Sequence, residues 1–423
     1  MKNFLLSSFL FLLTATQVGA QSVNVTVQSK DGDKHEESIE LPESMSYEID
    51  SLLSDWNSRS YIIGNGDCQT KDVNPLFSDS EYIDRLSRIP SIMEMPYNDI
   101  VRKFIDVYTG RLRHNTSYML GAANFYIPIF EEALDVYNIP QELKYLPIIE
   151  SALQPTAVSR VGASGLWQFM IGTGKYYGLE SNSLIDERRD PIKSTWAAAR
   201  YLKDLYAIYQ DWNLVIAAYN CGPGNINKAI RRAGGSKDYW AIYNYLPKET
   251  RGYVPAFIAA NYVMTYYCDH NICPMENTLP ANTDTVQVTK DLHFEQIADI
   301  CGINVEQIRS LNPQYKRDIV PGNTKSYPLR LPQNYISTFI DSQDTIYAHR
   351  ANELFTKRKT VSAREDAVSK QYSSRKTTYH KIKNGDTLST IARKYGVSVS
   401  SIKKWNNLRS TRIAAGKRLR ICR

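Results

Sequence analysis

Apolar residues recur at helical spacing through residues 78–274. Ile83/Leu86, Ile100/Phe104/Val107, Leu120/Ala123/Phe125, Ile129/Ala133/Leu134 and Ala197/Tyr201/Leu205 follow this spacing, and Pro, Gly and Asn separate the runs. Nothing there alternates with period two for long, so the pattern predicts an all-helical domain. Ahead of it, residues 21–77 are polar, with Asp-Gly and Gly-Asn-Gly turns and short apolar patches. That segment is expected to wrap the helical domain or stay partly disordered.

Behind the helical domain the pattern changes. Residues 285–332 begin with a short β-like run (Val286, Gln287, Val288), continue through helices at 294–298 and 305–311, and end on a strand near 329–331. Residues 379–422 repeat that order: a strand at 379–382, a turn whose Asp386 or Thr387 can cap a helix over 388–395, and Gly396 as its stop. A second helix at 398–406 and a strand at 417–421 follow. Two βααβ units of about 45 residues make an internal repeat. Residues 333–378 between them are polar and basic and are expected to be a linker, with a helical stretch near 346–355. At 423 residues, two to four domains are expected.

Charge sharpens this division. From Asp341 onward there are 20 Lys+Arg against 6 Asp+Glu, whereas the preceding residues carry 31 against 38. A basic tail on an acidic body suits a polyanionic partner. Met1 and Lys2 lead into an apolar run at 4–13 and then Val18-Gly19-Ala20, so residues 1–20 read as a secretory signal with Gln21 as the new N-terminus. Export makes nucleic acid a poor partner and leaves anionic cell wall or lipid. The first cysteine is Cys68, so no lipobox is expected, and no later run is long enough for a membrane span. The expected location is the periplasm or cell envelope.

Six cysteines in an exported chain permit disulfides, and Cys268 with Cys273 is the best candidate pair on spacing. His270 between them is too little for a metal site. No zinc-ligand spacing, phosphate-binding Gly-rich loop or Ser-His-Asp set stands out, so neither metal nor cofactor is called for. The 29 Tyr against 12 Phe fit helix interfaces for the most part, and half-wet sugar grooves for the rest.

Three stretches carry candidate chemistry. Glu150 follows four apolar residues, Leu146 to Ile149; a desolvated carboxyl has its pKa raised and can serve as a general acid near neutral pH. Gly162-Ala163-Ser164-Gly165 is a small-residue loop leading into Leu166-Trp167-Gln168-Phe169-Met170, where Gln168 can bond donors and acceptors on a sugar. Ala217 to Gly224 reads as a helix ending in a Gly-Pro-Gly turn behind a Tyr219-Asn220 pair.

At these residues the chain resembles the lytic transglycosylases of the goose-lysozyme-like superfamily. The carriers are Glu150-Ser151 with Pro155 and Ser159, the Gly-Leu-Trp-Gln-Phe-Met run at 165–170, and Ala-Ala-Tyr-Asn-Cys-Gly-Pro-Gly-Asn at 217–225. Tyr145-Leu146-Pro147, the Asp-Glu-Arg-Arg-Asp-Pro run at 186–191 and Leu-Pro-Lys-Glu-Thr at 246–250 resemble the membrane-bound lytic murein transglycosylase D subgroup. The repeated unit is similar to LysM, a peptidoglycan- and chitin-binding module. Residues 379–422 keep its Lys-Asn-Gly-Asp-Thr-Leu start; the copy at 285–332 has Thr289-Lys290-Asp291-Leu292-His293 instead. Cys221 replaces the Ala usual in Tyr-Asn-Ala-Gly and is expected to pack rather than attack.

The resemblance implies a mainly α catalytic domain, lysozyme-like and of goose type, followed by two small α+β LysM-like modules. It implies cleavage of peptidoglycan glycan strands with Glu150 as single acid and base, yielding 1,6-anhydromuramoyl ends. Ser159, Gln168, Met170, Tyr219 and Asn220 align with groove positions, with Tyr219 expected to bond near Glu150. Tyr253 is a further groove candidate. Trp167 and Phe169 are expected in the core, residues 186–190 as a charge cluster fixing a loop, and Glu249 as a helix cap or brace. Two alternatives stay open: a hydrolase on the same fold, with Asp186 or Asp211 as second carboxylate, and a wall-binding scaffold without catalysis.

Overall fold

The computed structural model describes residues 22–28, 34–47, 73–276, 279–280, 282–356 and, with short breaks, 377–422. The expected signal at 1–20, residues 357–376 of the expected linker and the Gly396 helix stop lie outside these residues. The chain divides into two units, Met1–His349 and Arg350–Arg423.

The first unit is built on helices α1 (Asp79–Arg88), α2 (Asp99–Thr109), α3 (Arg113–Val136), α4 (Leu146–Ser151), α5 (Pro191–Tyr209), α6 (Trp212–Cys221), α7 (Pro223–Arg232) and α8 (Tyr253–Tyr266). Local chemistry sets their starts. Ser78 and Glu81 form a capping box on α1, Asn98 accepts from two amides of α2, and Asp190 and Asp211 cap α5 and α6. Their inner faces join one core in which Phe104, Tyr118, Tyr126, Phe130, Trp167, Phe257 and Tyr262 are buried. Most tyrosines thus pack helix on helix, as the composition suggests.

The described part of the polar N-terminal segment wraps this domain. Strands β1 (Ser22–Gln28) and β2 (Lys34–Glu40) form an antiparallel hairpin, with Val25 and Ile39 buried against the helical core. Glu37 bonds Arg251, and Gly252 lets the hairpin come close: a Cβ there would lie 2.7 Å from the Glu40 carbonyl. Leu41 and Met45 then carry the chain to α4, where the Ser44 hydroxyl donates to Ile149 O at 2.6 Å.

A second core in the same unit belongs to the first repeated module. Strands β3 (Thr283–Val288) and β6 (Tyr327–Pro332) pair antiparallel, as do β4 (Asp291–His293) and β5 (Ile319–Pro321), around α9 (Phe294–Cys301) and α10 (Val305–Leu311). The expected linker does not begin at 333. Helices α11 (Ile336–Asp341) and α12 (Gln343–Ala348) continue the module because Phe339 and Ile346 are buried in its core. Leu184 and Ile185, from the loop before α5, also belong to that core.

The second unit holds β7 (Thr377–Lys381), α13 (Leu388–Tyr395), α14 (Val399–Trp405) and β8 (Arg418–Cys422), with β7 and β8 antiparallel. Leu388, Ile391, Ile402, Leu419 and Ile421 fill its core. Thr387 takes the capping role, accepting from Thr390 N at 3.1 Å, while Asp386 bonds His380 and the Lys383 amide. No described helix is long and apolar enough to cross a membrane.

The cysteine pairing expected from spacing is not formed. Cys268 is an exposed free thiol, whereas Cys273 is buried and disulfide-bonded elsewhere. The chain turns through Asn271 at φ 54° between them. His270 is buried, its ring nitrogens 2.8 Å from Asn74 Oδ1 and 3.1 Å from Tyr262 Oη.

Candidate active site

Helix α4 is six residues long and carries Pro147 in its first turn, a position that suits proline. It ends abruptly: Ala152 and Leu153 both adopt positive φ, 51° and 61°, a conformation that L-residues keep only under tertiary constraint. Ser151 helps supply it, donating to Leu166 O at 2.9 Å. Glu150, next to this break, faces a cleft of ≈ 560 Å³ lined also by Ser159, Gln168, Met170, Tyr219, Asn220 and Tyr253. Every residue expected in the groove therefore lines one cleft.

Glu150 is only partly open to that cleft, and burial of its carboxyl, aided by the nearby charge of Glu249, raises its pKa well above the usual range. The hydroxyl bonded to Glu150 Oε1 is that of Tyr253, the first residue of α8. Tyr219 instead donates to Trp167 O at 2.7 Å, because its ring reaches across to the loop opposite. It therefore holds the cleft wall and does not bond the carboxyl.

That wall is the loop from Ala157 to Met170. Ser159 Oγ accepts from Ala163 N at 3.0 Å, and Gln168 Nε2 donates to Gly165 O at 2.8 Å with the backbone of Gln168 at φ 46°. With Nε2 so committed, the carbonyl oxygen is the group that Gln168 has left to offer as an acceptor. Met170 is 45% exposed at the rim; Trp167 and Phe169 are core, as expected. Across the cleft, Asn220 Oδ1 accepts from Thr250 Oγ1 at 2.9 Å.

Two acidic residues enter the cleft that sequence reasoning placed elsewhere. Glu249, expected to cap or brace a helix, lines the cleft, and so does Glu43 of the N-terminal segment. Glu43 accepts from Arg160 N at 3.2 Å. The Leu-Pro-Lys-Glu-Thr motif was the available signal for Glu249; Glu43 has none. The carboxylates proposed from sequence for a hydrolase are both occupied in other ways. Asp211 caps α6, and Asp186 forms a two-pronged bond with Arg188 at 2.9 and 2.8 Å. The 186–190 run fixes a loop, as expected. Among the described residues no group of three or more His, Cys, Asp or Glu could hold a metal ion.

A buried carboxyl whose pKa is raised, fixed by a tyrosine beside a polar groove, is suited to donating a proton. The model of the Transglycosylase SLT domain matches residues 128–242, that of the lytic transglycosylase MltD LysM-like domain 282–348, and that of the LysM domain 380–421. The membrane-bound lytic murein transglycosylase D of Escherichia coli (strain K12) is 29% identical over 341 residues, covering 78% of this chain and 70% of that protein. The soluble lytic murein transglycosylase of the same organism is 33% identical over 124 residues, 28% of this chain and 19% of the other. Among solved structures, that of the 70 kDa soluble lytic transglycosylase from Escherichia coli covers 35% of this chain and 25% of its own, at 29% identity and a TM-score of 0.30. Matches to a transglycosylase SLT domain that includes Glu150, to a LysM-like domain and to a LysM domain thus follow one another in this chain, which is similar to lytic murein transglycosylases over most of its length.

Proposed function

We propose that the chain cleaves the β-1,4 bond between N-acetylmuramic acid and N-acetylglucosamine in peptidoglycan without water, with Glu150 as acid and then base. The observation that carries this is a single buried, tyrosine-held carboxyl with a raised pKa in a groove of polar side chains. With Oε1 held by Tyr253, the proton sits on Oε2 and passes to the glycosidic oxygen as the C1–O bond breaks. The charge left at C1 is oxocarbenium-like, and the 2-acetamido group of the muramic ring can shield it. Ionised Glu150 then takes the proton of the C6 hydroxyl as its oxygen closes on C1, giving the 1,6-anhydro end. Glu150 finishes protonated, and nothing else is consumed. Ser159, Gln168, Met170, Tyr219 and Asn220 shape the groove around the sugars. This activity belongs in the cell envelope, and the basic Arg350–Arg423 unit with its LysM domain suits a role in holding the enzyme on the wall.

Glu249 and Glu43 give a hydrolytic reading its foothold, since a further carboxylate in the cleft could activate water. Mass spectrometry of sugars released from purified peptidoglycan separates the two. Anhydro ends from the mature protein, and none from Glu150→Gln, are expected. Reducing ends carrying solvent oxygen would replace the transglycosylase reading by the hydrolytic one.

A further inference from the structure

We propose that the LysM-like module at 283–348 is a built-in brace of the active-site loop, acting through Asp186 and Arg188 as positioning residues. Its core is not its own: Leu184 and Ile185 of the transglycosylase domain are buried in it. Backbone bonds tie the two together at the same place. Asp186 N donates to Gln314 O at 2.8 Å, Lys316 N donates to Leu184 O at 2.8 Å, and Ile185 bridges Tyr315. Side chains add to this, with Lys316 Nζ 2.8 Å from Asn182 O and Lys325 Nζ 2.8 Å from Glu180 Oε2.

From that seam a short path leads to the cleft. Asp186 and Arg188 have side chains only 2% and 7% exposed, and their fork-to-fork pairing fixes the guanidinium plane. Lys316 stands 3.8 Å from the same carboxylate. Burial alone would raise the Asp186 pKa, but the Arg188 hydrogen bonds and charge overcome it and hold the carboxyl below its usual value. Arg188 Nη1 then donates to Gly162 O at 2.8 Å and to Phe169 O at 2.9 Å, one contact at each end of the loop that carries Gln168. The loop needs such holding. Gln168 sits at φ 46° and Gly165 at φ 91°, and Gly165 lies so close to the Arg188 carbonyl that a Cβ would come within 1.8 Å of it. The same loop meets α4 through Ser151 and Leu166, so its position bears on Glu150.

The inference rests on the proposed activity for its kinetic readout only; hydrogen exchange gives an independent one. The experiment uses the full chain with Lys316→Met, Arg188→Lys and the double variant. Lys316→Met lies in the module and removes no group from the cleft. It is expected to speed amide exchange of Ser164, Gly165 and Gln168 about tenfold, leaving β1–β2 unchanged, and to lower kcat on soluble glycan fragments about threefold at constant KM. Arg188→Lys keeps the charge but loses the fork, and should cost ~10- to 100-fold in kcat. The double variant should be no worse than Arg188→Lys, since both act along one path. Unchanged loop exchange in Lys316→Met, or losses that multiply in the double variant, would overturn the brace. If Arg188→Lys does not fold, Asp186→Asn takes its place with the same expectations. A parent protein that releases no sugar while its loop exchange still responds to Lys316 defeats the activity reading and leaves the brace standing.

Discussion

The two βααβ modules of this chain face the same difficulty and meet it differently. A unit of about 45 residues buries too little surface to be more than marginally stable alone. The first module enlarges its core with Phe339 and Ile346 from trailing helices and with Leu184 and Ile185 from the neighbouring domain. The second closes on Leu388, Ile391, Ile402, Leu419 and Ile421, all its own. It adds a polar staple in which Asp386 Oδ2 lies 2.9 Å from His380 Nε2 and accepts from Lys383 N at 2.8 Å. A module is separable only when its core is made of its own residues, so one repeat became part of an enzyme and the other stayed an attachment.

Excision breaks or sharpens that contrast most strongly. Removing residues 282–348 exposes Leu184 and Ile185, and should abolish sugar release and lower the thermal midpoint together. A chain ending at His349 should keep its kcat on soluble fragments while its retention on sedimented peptidoglycan falls about tenfold. A cut at Ile340 would not test the tail cleanly, because it runs through α11 and removes Ile346 from the first module's core.

Core truncations give the next largest effect. Phe339→Ala should cost about 3–5 kcal/mol and Ile402→Ala about 2–5 kcal/mol, but in different calorimetric transitions: the first in that of the enzyme unit, the second in a separate one. A single merged transition shifted by both would contradict the separability of the second module.

The response to pH is smaller and opposite in sign. The pKa of Glu150 is raised by burial and then by Glu249. Above its ordinary value of 4.5 the unfolded chain loses a proton that the native one keeps, so this group's contribution falls as pH rises. Glu150→Gln should therefore stabilise the enzyme unit at neutral pH, with the gain vanishing below about pH 4. Asp386 is held below its ordinary 3.8 by the Lys383 amide and then by His380, so its contribution is present above that value and lost in acid. Asp386→Asn should destabilise the second module at neutral pH and do nothing near pH 2. Thermal melts across pH that gave both variants the same sign would refute these assignments.

How far the sequence carried depended on whether a signal was local. Glu150, Gln168 and Tyr219 stand in contiguous motifs, and the helices at 305–311 and 388–395 appear where their apolar spacing put them. The N-terminal hairpin had a period-two signal in Val23, Val25 and Val27, but its partner strand Lys34–Glu40 buries little beyond Ile39 and reads as polar. Glu249 could not be placed because its position depends on a turn folding back over a helix a hundred residues earlier. The start of the linker was misplaced for a similar reason: Phe339 and Ile346 are too sparse to announce a core until the module they complete is known. Cys268 and Cys273 are near in sequence, but spacing says nothing about which way each side chain turns.

One wall of the cleft comes from the N-terminal segment that precedes the helical domain. Pro42 and Glu43 line it, Ser44 bonds Ile149, and the hairpin behind them is tied by Glu37 to Arg251, 214 residues away. Contacts of such sequence separation form late, after the shorter and less costly loops have closed. A chain emerging from its N-terminus presents this wall first and can seat it only when nearly all of the helical domain has arrived. Completion of the cleft thus becomes a report on the length of chain already folded: a peptidoglycan-cleaving enzyme is finished last at the place where it cuts.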